Sequence, residues 1–359
     1  MGVWFSWLML VVGLVVILIG CDVFTNSIEW LGKKLSLNEG LLGSIFAAVG
    51  TALPETLIPI VAVFSGASSP QNASHAHDVG IGAIIGAPFM LATVAMLVTG
   101  TAIFIFTRSG RRDLRMNVNS KIISRDIRFF VLAFAIAVAS GFIDSEPTKV
   151  MIAVGLLAYY AFYVYKHATD TGHVSEEDAE NISPLHFHRK SEDPMLVIVV
   201  LQIFAGIALI VGAAYLFVQY VSDAAASLGI SSLVLSLIVV PLATELPEKF
   251  NSVLWVRRGK DTLAMGNITG AMVFQSTLPV AFGLVFTEWR INPQYVPAFL
   301  QAALAVVASL ILFAAIARRG HLTARSLLLS GVWYVVWLVL VFPFEAQIEE
   351  LVRKLGWGV

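Results

Sequence analysis

The chain has 359 residues, of which 58% are hydrophobic and 13% charged. A soluble domain carries about 25% charged residues to cover its surface, so this composition excludes an ordinary soluble fold and points to surface that faces lipid. The net charge of −1 gives no footprint for a nucleic-acid partner, and Cys21, the single cysteine, excludes an intrachain disulfide and a multi-cysteine metal site.

Apolar stretches long enough to cross a bilayer, roughly 20 residues, run over 4–33, 39–65, 79–106, 127–143, 148–165, 195–221, 231–256, 262–286, 296–317 and 325–343. The first lacks the basic start of a signal peptide and is too long for its core, so it reads as a retained helix. Its excess length predicts tilt or protrusion, and Cys21 within it reads as a small apolar residue. Short polar connections separate the spans, among them Gly32-Lys33-Lys34, Ser69-Pro70-Gln71-Asn72 and Asp144-Ser145-Glu146-Pro147. The longest connection, Lys166 to Asp193, is rich in His, Asp and Glu and reads as a flexible linker. The expectation is an all-α membrane protein with ten transmembrane helices as two inverted five-helix repeats. Residues 1–166 form the first repeat, 167–193 a cytoplasmic linker and 194–359 the second repeat.

The basic residues orient these spans. Alternate connections hold Lys33 and Lys34, a cluster from Arg108 to Arg128, then Lys166, Arg189 and Lys190, then Arg257, Arg258 and Lys260, then Arg318, Arg319 and Arg325. Together these make eighteen of the 23 Lys and Arg. The opposite set has Lys149, Arg290, Arg353 and Lys354, and Lys249 alone lies inside a span. Basic residues are retained on the cytoplasmic side, which places both termini outside a plasma or inner membrane. The Arg108–Arg128 cluster reads as a positive-inside loop, although anionic lipid headgroups would also suit it.

Two segments read almost alike. Gly50-Thr51-Ala52-Leu53-Pro54-Glu55 resembles Ala243-Thr244-Glu245-Leu246-Pro247-Glu248, and each Thr is followed 15 positions later by a glycine, Gly66 or Gly259. A second shared pattern follows, Gly82-x-x-x-Gly86-Ala87 and Gly266-x-x-x-Gly270-Ala271, with nine more residues before it in the first copy. Five spans precede the second repeat, so its copy enters the membrane from the opposite side. Such inverted repeats place ion sites near the midplane, where discontinuous helices of the two halves meet.

Glu55 and Glu248 lie inside apolar helices, where an ionised carboxylate costs at least a few kcal/mol without a partner. The preceding proline removes a backbone donor, which is expected to free carbonyls near Ala47–Ala48 and near Pro241–Leu242. Carbonyls, threonine hydroxyls and carboxylates are hard oxygen ligands that suit Ca2+ or Na+. The glycine pattern by itself reads as a helix-contact motif.

At these residues the sequence resembles the cation/calcium exchanger superfamily, which includes the sodium/calcium exchangers. The family carries a Gly-Thr-Ser-Leu-Pro-Glu-like motif and a downstream Gly-Asn-x-x-Gly-Ser-like motif in each of two repeats, and Asp22 in Gly20-Cys21-Asp22-Val23-Phe24 also looks like a family feature. The resemblance implies that Glu55, Glu248, Thr51 and Thr244 line a central Ca2+ site, with backbone carbonyls near Ala48 and Pro241. Family members often carry serine where this chain has Ala52, Glu245, Ala87 and Ala271, and Asn or Asp where it has Leu91 and Gln275. The lost oxygens put sodium coupling in doubt, while Glu245 and Gln275 join the candidate ligands.

Lys249 stands four residues after Glu245, a spacing at which a Glu–Lys pair interacts well. If both are charged, three carboxylates and one ammonium leave two net negative charges. Alternatively Lys249 snorkels away at a helix contact, and both readings stay open. His75-Ala76-His77-Asp78 and His186-Phe187-His188 have metal-like spacing but fall in polar connections, where solvated histidine is the default. Asn72-Ala73-Ser74 is a glycosylation sequon.

The expected activity is ion-coupled antiport of Ca2+, or a related divalent cation, against H+ or Na+, with no enzymatic chemistry and no cofactor. H+ is favoured, because a proton needs a carboxylate and not a shell of neutral oxygens. A Na+/Ca2+ exchanger completed by backbone and water, or a channel-like or non-transporting relative, is the alternative.

Overall fold

The computed structural model describes residues 3–34, 55–64, 73–169 and 183–354. Without water to solvate the backbone, a chain in hydrocarbon must satisfy its amides internally, and the described residues are helical almost throughout. In chain order, α1 is Val3–Lys34, α2 Glu55–Phe64 and α3 Ala73–Met90. A five-residue π turn, Leu91–Ala95, leads directly into α4, Met96–Arg108. Then come α5 Ser120–Ser140, α6 Glu146–Thr169, α7 Leu196–Leu228, α8 Ser232–Thr244 and α9 Leu246–Arg257. The chain ends with α10 Asp261–Gln275, α11 Leu278–Phe286, α12 Val296–Arg319 and α13 Ala324–Lys354. Two short strands, β1 Arg115–Met116 and β2 Leu322–Thr323, pair antiparallel between connections of the two halves. Among the described residues, seven segments are long and apolar enough to cross a membrane, and α2 and the apolar part of α8 are shorter.

Several boundaries differ from expectation for identifiable reasons. The α5 helix begins at Ser120 rather than near 127, because the Asn119 side chain accepts hydrogen bonds from the Lys121 and Ile122 amides and caps the polar first turns. The expected spans 231–256 and 262–286 are each broken in two, at Glu245 and at Ser276–Thr277. His77 and Asp78 belong to α3 rather than to a loop. Asp78 is buried and accepts a 2.7 Å hydrogen bond from Gln294 Nε2.

Two packed bodies make up the bundle. The α1 and α7 helices lie along each other through small residues: a Cβ on Gly20 would stand 2.9 Å from Ile210 Cγ1, and one on Gly206 would stand 2.8 Å from Phe24 Cβ. Large side chains on their outer faces, such as Trp4, Leu8, Leu201 and Phe204, are exposed as lipid contact requires. With α2 and faces of α3 and α8 these helices form one apolar cluster, and the remaining helices form a larger one. Within the larger cluster the halves interlock, α4 packing on α13, α11 on α6, α3 on α8 and α12, and α10 on α5 and α9.

The polar connections are more structured than composition suggests. Arg112 grips Asp261 with two parallel 2.7 Å bonds, from Nη1 to Oδ1 and from Nη2 to Oδ2, and the Asn117 amide adds a third at 2.8 Å. Part of the basic cluster is therefore committed to protein contacts rather than to headgroups. In the linker, Ser183–Asp193 docks onto α1 and α7. Trp30 Nε1 and Asn26 Nδ2 donate to the Ser183 carbonyl at 2.9 and 3.2 Å, the Phe187 amide donates to Gln202 Oε1 at 2.8 Å, and Leu185 is fully buried. His186 Nε2 stands 2.9 Å from Asp22 Oδ2. Within 183–193 the chain is held rather than flexible, because Asn26 and Gln202 inside the helix pair need partners and the strap's backbone supplies them; His186 is engaged, while His188 is exposed as expected of a solvated histidine. Asn72 and residues 170–182 lie outside the described residues.

The two glycine patterns are unequal. A Cβ on Gly82 would stand 2.7 Å from Ser236 Cβ and one on Gly86 2.5 Å from Pro241 Cγ, whereas one on Gly266, the counterpart of Gly82, would meet nothing within 4 Å. Overpacking costs about 1–3 kcal/mol. Gly82→Ala should therefore lower the melting temperature in detergent, while Gly266→Ala should hold or raise it; equal effects would place the close helix contact elsewhere.

Candidate ion-binding site

The site is built on two broken helices. Pro241 and Pro247 both lack an N–H, so each leaves the carbonyl four residues earlier without its helical donor. For Pro241 that is Leu237, and Gln301 Nε2 on α12 approaches its oxygen at 3.5 Å. The Pro241 carbonyl, expected to be freed, instead accepts the Glu245 amide at 3.2 Å. The oxygen that Pro247 deprives belongs to Ala243. At Glu245 the backbone leaves helical geometry (φ −84°, ψ 1°), and α9 restarts with Pro247 in its first turn. The second break follows Gln275, with Thr277 at φ −117°, ψ −71° and Pro279 opening α11. In the first half the position matching Gln275 is Leu91, which opens the π turn, so the two halves are not chemically equivalent here.

These breaks bring the candidate residues together. Glu55 at the start of α2 is 2% exposed, and Glu245 and Glu248 are fully buried, as is Gln275. Glu55, Glu245, Glu248 and Lys249 lie within electrostatic reach of one another. The Thr244 hydroxyl stands beside Glu55 while donating to the Val240 carbonyl at 3.1 Å. Gln275 Nε2 donates to Glu245 Oε1 at 2.7 Å, joining the two broken helices. Both carboxylate oxygens of Glu55, Glu245 Oε2, Gln275 Oε1 and Lys249 Nζ are buried with no hydrogen-bond partner among the described residues. Lys249 is 4% exposed, so its side chain lies in the interior with the glutamates in electrostatic reach. Thr51 and Ala48 lie outside the described residues.

Asp22, by contrast, is distant in role: its side chain is 74% exposed and engaged with His186. Among the described residues no three His, Cys, Asp or Glu side chains form a metal-holding group, so the glutamates share a buried region without closing a ligand shell. Sequence reasoning missed Asn267, 3% exposed on α10 with neither side-chain polar atom partnered among the described residues. The signal was its place directly after Gly266, where the first copy has Ala83. It also missed Asp126, buried on α5, which accepts from Thr269 Oγ1 at 2.9 Å and from Tyr163 Oη at 3.3 Å. A lone acid near the start of a span, next to Arg125, looks from sequence like part of the basic loop.

A helical membrane fold with buried carboxylates at paired helix breaks is the class of the cation exchangers. The chain belongs to the sodium/calcium exchanger protein family, whose pattern matches residues 5–166 and 198–342. The sodium/calcium exchanger MaX1 of Methanosarcina acetivorans is 22% identical over 94% of this chain and 98% of its own length. Among solved structures, the H+/Ca2+ exchanger CAX superposes with a TM-score of 0.75 over 98% of this chain and 86% of its own, at 16% identity. The sodium-calcium exchanger NCX_Mj gives 0.58 over 95% and 100%, at 20% identity. These likenesses make the protein an integral membrane protein with the exchanger fold.

Leaving a buried acceptor unsatisfied costs about 1–3 kcal/mol. Gln275→Leu removes the donor to Glu245 Oε1, so the purified protein should melt at lower temperature while still inserting; an unchanged melting curve would mean that this bridge carries no stability.

Proposed function

We propose that the protein is an ion-coupled antiporter that exchanges Ca2+, or a related divalent cation, for H+ or Na+ by alternating access to a single buried site. The observation that carries this reading is the convergence of Glu55 and Glu248, from corresponding motifs, in one buried region with unpartnered oxygens on Glu55. Two carboxylates balance one divalent charge, and Thr51, Thr244 and backbone oxygen beside the proline breaks add the neutral ligands that hard cations take. The proposal includes ten transmembrane helices in two inverted units, 1–166 and 194–359, joined by a linker on the cytoplasmic side, with both termini outside. The eighteen-to-four split of basic residues supports that orientation.

H+ is the favoured counter-ion. Ala52, Ala87, Ala271 and Leu91 offer no side-chain oxygen, and Gln275 spends its amide nitrogen on Glu245. Na+ is the second reading, favoured by two neutral buried oxygens, Gln275 Oε1 and Asn267 Oδ1, that have no partner among the described residues.

In proteoliposomes free of sodium, an imposed pH gradient should drive 45Ca2+ accumulation. Glu55→Gln or Glu248→Gln should reduce it to background while the protein still inserts. Near-normal divalent flux in either variant rules out the assigned site, and accumulation that follows a Na+ gradient and ignores pH selects the second reading. For topology, a cysteine placed in the 170–182 segment should react from the cytoplasmic side and one placed after Val359 from the outside. Cys21, 1% exposed, should add little background.

A further inference from the structure

The site holds two more ionisable groups than a two-carboxylate divalent site requires, Glu245 and Lys249, and Lys249 has the wrong sign for a ligand. Lys249 lies one helical turn beyond Glu245, its amide bonded to the Glu245 carbonyl at 3.2 Å across the break. Its ammonium is buried and without a hydrogen-bond partner among the described residues. Glu245, Glu248 and Glu55 all lie within electrostatic reach of it. Glu245 is in turn fixed from the other side, since Gln275 holds Oε1 and leaves Oε2 open. An unpaired ammonium and a half-free carboxylate in one dry region compensate each other most cheaply by acting as a pair, because a lone buried charge costs far more than a paired one.

We infer that Lys249 and Glu245, one helical turn apart, offset each other's charge, set the net charge of the site at minus two and thereby select divalent ions. On this account Glu245 is a specificity-determining residue held out of the ligand set, and Glu55 and Glu248 face the ion. The inference rests on the proposed cation-exchange reading of this site. It has a distinctive consequence: removing either member upsets the charge in opposite senses, whereas removing both restores it. Lys249→Met leaves a more negative site that suits a trivalent ion, and Glu245→Gln leaves a surplus ammonium that repels any cation.

The test is a double-mutant cycle on the purified full chain, read by Ca2+ and Tb3+ binding (Tb3+ luminescence with Ca2+ competition) and by 45Ca2+ flux in proteoliposomes. Glu245→Gln should weaken both ions about tenfold or more, and Lys249→Met should raise Tb3+ affinity relative to Ca2+ by about tenfold. The double variant E245Q/K249M should recover Ca2+ binding to within about threefold of the parent. Lys249→Arg, which keeps the charge, should keep the Ca2+ preference over Tb3+. The melting temperature should follow the same cycle, low in each single variant and recovered in the double. A double variant as weak as the poorer single, or a Lys249→Met protein with unchanged ion preference, overturns the pair. If the parent shows no Ca2+ flux yet the binding and melting cycles close, the antiport reading fails and the pair stands. If parental flux depends on Glu55 but the cycles do not close, the pair alone fails.

Discussion

Everything in this molecule follows from the cost of leaving a polar group unsatisfied where water is scarce. Backbone amides meet it by staying helical, and Pro241, just ahead of the second motif, and Pro247, within it, breach that solution at defined places. Each breach creates a carbonyl without its donor, at Leu237 and at Ala243. Gln301 on α12 approaches the first. The second lies at the break itself, beside Glu245 and Glu248, where hard oxygen becomes useful to a cation.

The same cost organises the periphery. Asn26 and Gln202 sit inside the α1–α7 pair and capture the backbone of the Ser183–Asp193 strap. Asp261 at the head of α10 is matched by a bidentate arginine and an amide. Asp126 is matched by Thr269, two residues beyond Asn267 on the helix that ends at Gln275. These fully paired groups differ from Glu55, Lys249 and Asn267, whose polar atoms are buried and unpartnered among the described residues. Native interiors tolerate few such groups, and Glu55 and Lys249, which lie within electrostatic reach of each other, mark the site off from the paired scaffold.

The departures from two-fold equivalence also centre there. Where the second half breaks α10 from α11 and presents Gln275, the first half runs on through a π turn opened by Leu91. Gly86 is pressed against Pro241, yet its counterpart Gly270 belongs to a pattern whose first glycine, Gly266, has open space. A repeat of this kind keeps its frame while each copy's chemistry diverges: carboxylate and amide gather in the second copy, and apolar packing in the first.

The sequence by itself determined the membrane class, the apolar stretches, the family and the paired motif, because composition, hydropathy and a duplicated Thr-x-Leu-Pro-Glu are local patterns. It also carried Glu55, Glu248 and Lys249 as residues out of place in an apolar helix. What it could not determine were matters of distance between segments far apart in the chain. Whether Lys249 snorkels or points inward depends on which helix covers it. That Glu245 is held by Gln275, 30 residues later, and that Gln301 reaches a carbonyl 64 residues earlier, depends on how the helices of the second half pack against one another. The strap on α1 and α7 looked like linker because its composition is polar, and only the buried amides of Asn26 and Gln202, brought side by side by helix packing, gave its backbone somewhere to bind.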